Sequence, residues 1–278
     1  MGHARLVNMT SRTVRGCNIA YEYRGVGPDV VWAHGLTQSR ALENVQPLID
    51  WAGVEARVLR YDARGHGESD STLELEGYTW EELAHDQLEL TAALGTKTYV
   101  AGGASMGCAT ALHAAVLAPD RIGGLILVIP PTGWESRAAQ SEVYEQGAEV
   151  VEAYGVEPLI KAGAVIAPPD PLADDPDYRT RRADGLRSWE SDRLARAMRG
   201  AAGAQLPKRN NIAAIECPTL VLAWTGDATH PSETAEELGD LLPHAEVHID
   251  STADEVAAWP TLVANFLNPG RVNSDAYP

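Results

Sequence analysis

A serine set between two glycines is the residue best placed to do chemistry. Gly103-Ala-Ser105-Met-Gly107 has the pattern Gly-x-Ser-x-Gly. An apolar strand-like run, Thr98 to Ala104, leads in, and an alanine-rich helix-like run, Met106 to Leu117, leads out. A sharp strand-to-helix turn forces such a serine into strained backbone geometry and lifts its hydroxyl clear of the sheet. Glycines on either side remove side chains that would collide across the turn. The chemistry on offer is attack by Ser105 Oγ on a carbonyl carbon. At neutral pH the hydroxyl needs a base to take its proton, so the histidines decide whether that chemistry runs.

The turn needs a sheet beneath it, and the chain supplies the strands. Arg12 to Arg24 reads as a hairpin turning near Gly16. Asp29 to Ala33, Val54 to Tyr61, Gly124 to Ile129, Thr219 to Trp224 and Glu246 to Asp250 are further apolar, strand-length runs. Helical patterns lie among them. Ser39 to Trp51 is one, which Pro47 interrupts or ends early. Thr79 to Leu94 is another, with a threonine cap and Glu81 and Glu82 in its first turn. Ser232 to Leu242 and Trp259 to Leu267 follow. This alternation predicts an α/β fold with a largely parallel sheet covered on both faces. From Pro131 to about Glu216 the rhythm breaks into helical patterns rich in Ala, Arg and Glu, interrupted by Pro168-Pro-Asp-Pro171. A strandless insertion there belongs above the carboxyl ends of the strands, where open α/β sheets bind ligands. The expected organisation is a core over 1–130 and 217–278 with a helical lid over 131–216, and Ser105 at the floor of a pocket beneath the lid.

Composition narrows the partners. The 278 residues suit one large α/β domain or a domain with an insertion, and 45% are hydrophobic, enough for a sizeable core. A net charge of −17 repels phosphate backbones and anionic lipid heads, which argues against nucleic acid and membrane surfaces as partners. Three widely spaced cysteines, Cys17, Cys108 and Cys217, form neither a zinc pattern nor a disulfide framework, which suits a reducing cytoplasm. The N-terminus lacks a signal-peptide pattern, and no apolar run approaches the ~20 residues that span a bilayer. Met9 is a second candidate start, His3 falls in a start expected to be disordered, and the tail after Asn268 reads as frayed. The partner expected is a small-molecule substrate. Oligomeric state has no signature in the sequence.

Three further motifs join the serine turn. They are His34-Gly35 after the third strand, Tyr61-Asp-Ala-Arg-Gly65-His66-Gly67-Glu-Ser69 after the fourth, and Gly226-Asp227 after the seventh. Together these residues resemble the α/β-hydrolase superfamily over nearly the whole chain, in its serine-nucleophile, esterase- or lactonase-like branch. The resemblance implies an eight-stranded sheet with a helical cap between the sixth and seventh strands. It implies a nucleophile at Ser105, a triad acid at Asp227, and the chain order nucleophile, acid, histidine. It makes His66 a scaffold residue and His34 a residue that shapes the oxyanion loop. Aligning the motifs puts the oxyanion-hole donors on the backbone N–H groups of Leu36 and Met106, which would stabilise a tetrahedral intermediate. No cofactor and no metal are implied: the histidines lack His-x-x-x-His spacing, and Gly102 to Gly107 opens no dinucleotide loop.

The chain departs from that pattern at the base. The superfamily's histidine follows the last strand, but here the loop reads Ser251-Thr-Ala-Asp254-Glu-Val256 and holds none. Three explanations stand. His230 supplies the base from Gly226-Asp227-Ala-Thr-His230-Pro231, the loop of the acid itself. Alternatively His248 or His244 bends into the site, which for His248 requires a bulge in its strand. Or no base is present, and Ser105 is a weak nucleophile or a relic. His85 and His113 lie within helical patterns and read as packing residues. The leading expectation is a serine hydrolase of a small ester or lactone, working through an acyl-enzyme at Ser105. The alternatives are a cofactor-free lyase, perhydrolase or C–C bond-cleaving enzyme in the same pocket, and a ligand-binding protein without catalysis.

Overall fold

The computed structural model describes residues 10–268. The expectations for His3, for Met9 as a start and for the tail beyond Asn268 fall outside the described residues. Eight strands form one sheet: β1 (Ser11–Val14), β2 (Cys17–Arg24), β3 (Asp29–Ala33), β4 (Arg57–Tyr61), β5 (Tyr99–Ala104), β6 (Ile122–Val128), β7 (Thr219–Trp224) and β8 (Ala245–Asp250). Their order is β1-β2-β4-β3-β5-β6-β7-β8. β2 pairs antiparallel with both β1 and β4, and every other pair is parallel. The β1–β2 hairpin turns on Arg15 and Gly16, at φ 47° and 77°, the left-handed pair that a tight two-residue hairpin requires.

Alternate residues of the inner strands feed two cores, as expected of strands buried on both faces. On one face Val31, Ala33, Leu125, Leu127 and Val221 pack with helices α2 (Trp80–Ala93) and α3 (Met106–Leu117), through Leu83, Leu90 and Leu112. On the other, Val30, Trp32, Ile126, Val128, Leu220 and Leu222 pack against Trp259 and Val263.

Chain order runs α1 (Arg40–Glu43), α2 and α3, then α4 (Arg137–Tyr154), α5 (Glu157–Ala164), α6 (Tyr178–Arg187), α7 (Ser191–Ala202) and α8 (Arg209–Ile212) between β6 and β7. These five helices lie in the segment without strands, and Ala148, Val151, Leu186, Leu194, Ala195 and Met198 form an apolar cluster within it. α9 (Ser232–Leu241), α10 (Ala253–Ala257) and α11 (Trp259–Leu267) complete the described chain.

Several boundaries differ from the sequence reading. The helix expected over Ser39 to Trp51 is only α1, capped by Ser39, followed by turns and a 3₁₀ turn over Trp51–Gly53 capped by Asp50. Pro47 has no N–H to give a continuing helix, and Glu43 turns inward to accept from the Trp32 indole N–H at 3.1 Å. The fourth strand starts at Arg57, not Val54. Thr79 occupies the cap position of α2, but its hydroxyl donates back to the Glu76 carbonyl and caps nothing. The stretch Ser251 to Val256, read as a loop, holds α10, which a Thr252–Glu255 capping box starts.

Candidate active site

Ser105 sits between β5 and α3 at φ 52° and ψ −110°, outside the regions that L-residues favour. The packing that imposes this geometry explains its glycines. A Cβ on Gly107 would lie 2.0 Å from the Ala33 carbonyl oxygen, and one on Gly103 would lie 2.5 Å from it. α3 therefore starts in contact with β3, and the serine stands at the carboxyl edge of the central strands.

His230 reaches that serine. Its Nε2 lies 2.8 Å from Ser105 Oγ, and its Nδ1 lies 2.7 Å from Asp227 Oδ2. A carboxylate accepts only, so the Nδ1 proton faces Asp227 and leaves the Nε2 lone pair for the serine hydroxyl. One tight turn makes this possible. The His230 backbone N–H donates to the Asp227 carbonyl at 3.1 Å, and the Thr229 N–H donates to Asp227 Oδ1 at 2.9 Å. Side chains three residues apart then face the same way. The Trp224 indole N–H also donates to Asp227 Oδ2, at 3.1 Å. Burial alone would push the Asp227 carboxyl up, but the His230 ring and the donors from Thr229 and Trp224 hold it down at about 2. The acid side chain thus stays ionised across the neutral and mildly acidic range.

The other histidines stand elsewhere. His248 pairs with Glu246 at 2.7 Å, and β8 keeps a regular register with β7, so the bulge that would turn His248 inward is absent. His244 is exposed and lies 3.6 Å from Glu216. His113 Nε2 meets the Gln205 carbonyl at 2.8 Å. Ala253 and Asp254 open α10 and are exposed.

Leu36 and Met106 flank the serine. Met106 is the first residue of α3, where N–H groups lack intrahelical partners. Among the described residues, neither its N–H nor that of Leu36 is taken by a backbone carbonyl. A Cβ on Gly35 would lie 3.7 Å from Ser105 Cβ, which sets the Leu36 loop against the serine. His34 Nδ1–H donates to the Gly35 carbonyl at 2.8 Å, and Nε2 accepts from the Ala63 N–H at 3.0 Å.

The serine expected at the floor of a pocket is itself largely covered. Ser105 is only 8% exposed. A cleft of about 680 Å³ instead opens elsewhere, lined by Trp32, Glu43, Trp51 and Arg60 among others, and holds none of the residues above. The helical segment meets the serine's surroundings directly, as the Thr132 N–H donates to the Thr229 carbonyl at 3.3 Å. Sequence reading missed Trp224 and Thr229 as partners of the acid. Trp224 ends an apolar strand and reads as core until its indole N–H is placed. Among the described residues no group of His, Cys, Asp or Glu side chains is arranged to hold a metal ion, and no helix is long and apolar enough to cross a membrane.

Comparison with known proteins gives the chain a family and a fold. The sequence model described as "Alpha/beta hydrolase family" matches residues 30–259. The chain is 25% identical over 238 residues to 3-oxoadipate enol-lactonase 1 of Acinetobacter baylyi, covering 82% of each chain. It is similar in structure to a hydrolase from Pseudomonas aeruginosa, with a TM-score of 0.78 at 25% identity, covering 94% of this chain and 99% of that one. A thermophilic esterase from Thermogutta terrifontis gives a TM-score of 0.75 at 27% identity, covering 94% and 96%.

Proposed function

We propose, for a chain that belongs to the alpha/beta hydrolase family, that it is a serine hydrolase acting on a small ester or lactone through an acyl-enzyme at Ser105. The observation that carries this reading is the His230 ring, within hydrogen-bond reach of Ser105 Oγ on one side and Asp227 on the other. A missing base was the main argument for a ligand-binding protein; a ring 2.8 Å from the hydroxyl is what favours hydrolysis over that alternative.

In this mechanism Ser105 Oγ bonds to the substrate carbonyl carbon while its proton passes to His230 Nε2. The carbonyl electron pair moves to oxygen, and the N–H groups of Leu36 and Met106 hold the resulting oxyanion. Asp227 stabilises the imidazolium and keeps the Nδ1 proton in place. The oxyanion collapses, the bond to the leaving alkoxide breaks, and Nε2–H protonates that oxygen. Water then repeats the sequence on the acyl-enzyme, releasing the acid and free Ser105. The segment 131–216 serves as the lid. Backbone donors on Leu36 and Met106 place no demand on those side chains, so substrate choice falls to the lid.

The test is labelling by a serine-reactive fluorophosphonate together with hydrolysis of a short-chain aryl ester. Wild type should be labelled at Ser105 and should turn over, and Ser105→Ala should do neither. Hydrolysis undiminished in Ser105→Ala would remove the nucleophile assignment.

A further inference from the structure

Three rings from three parts of the chain meet the carbonyls of the loop after β3. Gly35, Leu36 and Thr37 are consecutive, and each carbonyl meets a different ring. His34 Nδ1–H donates to Gly35 at 2.8 Å, His66 Nε2 lies 2.9 Å from the Leu36 oxygen, and the Trp189 indole N–H donates to Thr37 at 3.3 Å. Trp189 lies between α6 and α7, and packs against both the main core and the apolar cluster of the helical segment. Its ring also stands edge-on to His66, with centroids 5.0 Å apart at 82°. One turn further on, Arg193 anchors the same region. Its Nε donates to the Gly65 carbonyl at 3.2 Å, and one terminal nitrogen donates to Ser69 at 2.7 Å, so the loop that carries His66 is held as well.

Peptide planarity turns these contacts into an argument about Leu36. In a trans peptide the carbonyl of one residue and the N–H of the next point in opposite directions from one rigid plane. Trp189 fixes the Thr37 carbonyl, and thereby aims the Gln38 N–H. That N–H donates to the Gly35 carbonyl at 3.0 Å. The plane that contains the Gly35 carbonyl also contains the Leu36 N–H. Two rigid peptide units therefore connect the indole to the oxyanion donor, and hydrogen bonds in such a chain polarise one another. The indole N–H can only donate, so its role in the chain is unambiguous.

From this geometry we infer that Trp189 is a positioning residue of the oxyanion loop, aiming the Leu36 N–H through the Thr37–Gln38 and Gly35–Leu36 peptides. The inference rests on the hydrolase reading above. It also gives the helical segment a part in catalysis beyond covering substrate, because a residue of that segment orients a group that acts on the transition state.

The test is Trp189→Phe, which keeps an aromatic ring against His66 and removes the donor together with part of the indole's apolar bulk. Two probes separate the states. Turnover of p-nitrophenyl acetate gives kcat and KM, and phenylboronic acid forms a tetrahedral adduct with the serine that occupies the oxyanion hole. Loss of one aligned hydrogen bond should lower kcat, and weaken phenylboronic acid, by about three- to tenfold each. KM should stay within about twofold, because the ground-state carbonyl depends less on the hole than the tetrahedral state does. Hydrogen exchange at the Leu36 and Gln38 amides should quicken by more than at the amides of α7, so that the change is local and not a general loss of stability. Unchanged kcat and boronate affinity, or a change confined to KM, would overturn the inference. So would unaltered exchange at those two amides, a readout that holds even if wild type neither hydrolyses the ester nor binds the boronate. That last result in wild type would instead remove the hydrolase reading.

Discussion

The loops after β7 and β8 leave the sheet side by side and do opposite things. The β7 loop makes a tight turn in which Asp227 accepts from Thr229 N–H, Trp224 and His230, and it delivers a ring to Ser105. The β8 loop spends its polar groups on itself. Thr252 and Glu255 cap α10, and Asp250 accepts from the Trp259 indole at 2.6 Å, which ties the strand end to α11. In the family pattern these loops share the work, the acid from one and the histidine from the other. In the proposed reading the β7 loop supplies both groups, Asp227 and His230, with side-chain exposure of 15% each. A relay is a matter of atoms in reach, and a turn that places residues i and i+3 on one side can supply two of its members.

Breaking the β7 loop should be far costlier than altering the β8 loop. His230→Ala should cost nearly as much as Ser105→Ala, about 10⁴–10⁶-fold in kcat on an aryl ester, because members of one unit are strongly non-additive. A double variant no slower than either single one would show that unit directly. Retention of most activity in His230→Ala would return the base to another residue.

Asp227→Asn comes next, with a loss of about 10³–10⁴-fold, since an amide can present its N–H to Nδ1 and leave the wrong tautomer facing Ser105. It also has a pH signature in stability. The carboxyl's folded value of about 2 lies below its ordinary 3.8, so its contribution is present at neutral pH and is lost as pH falls through about 2. Melting curves of wild type and Asp227→Asn should therefore differ at pH 7 and converge toward pH 2. A constant difference across that range would mean that Asp227 is not held ionised by its neighbours.

Trp224→Phe sharpens the comparison on a smaller scale. It removes one of the donors on Asp227 and should slow turnover by about three- to tenfold, with KM little changed. At the bottom of the scale, His248→Ala should leave the rate within about twofold. A histidine placed at Asp254 should give no rescue of His230→Ala, because α10 holds that position at the surface. A rescued rate would show that the β8 loop still reaches the serine.

The strand-to-helix turn at Ser105, the order of the strands' apolar runs and the position of Asp227 at a strand end were all legible in the sequence. Each depends on a short window, in which periodicity and glycine placement carry the physics. α1 was legible in part for the same reason: Pro47 marked an early end, but the helix stops sooner, at Glu43, whose side chain turns inward to Trp32. His230 was legible only as a candidate, one of three explanations for the base.

What the chain's local patterns determined by themselves is the α/β architecture and the place of the strand-to-helix turn at Ser105, because hydrophobic period, turn residues and steric limits act between near neighbours. What only the tertiary structure decided is which groups meet at that turn. His230 and Ser105 are 125 positions apart, and Trp189 lies 152 from the carbonyl it holds. Such pairings follow from how parallel strands bring their carboxyl ends to one edge of the sheet. Backbone donors such as the Leu36 N–H carry no residue-type signature, so their aim is set by packed loops and planar peptides, which exist only once the chain has folded.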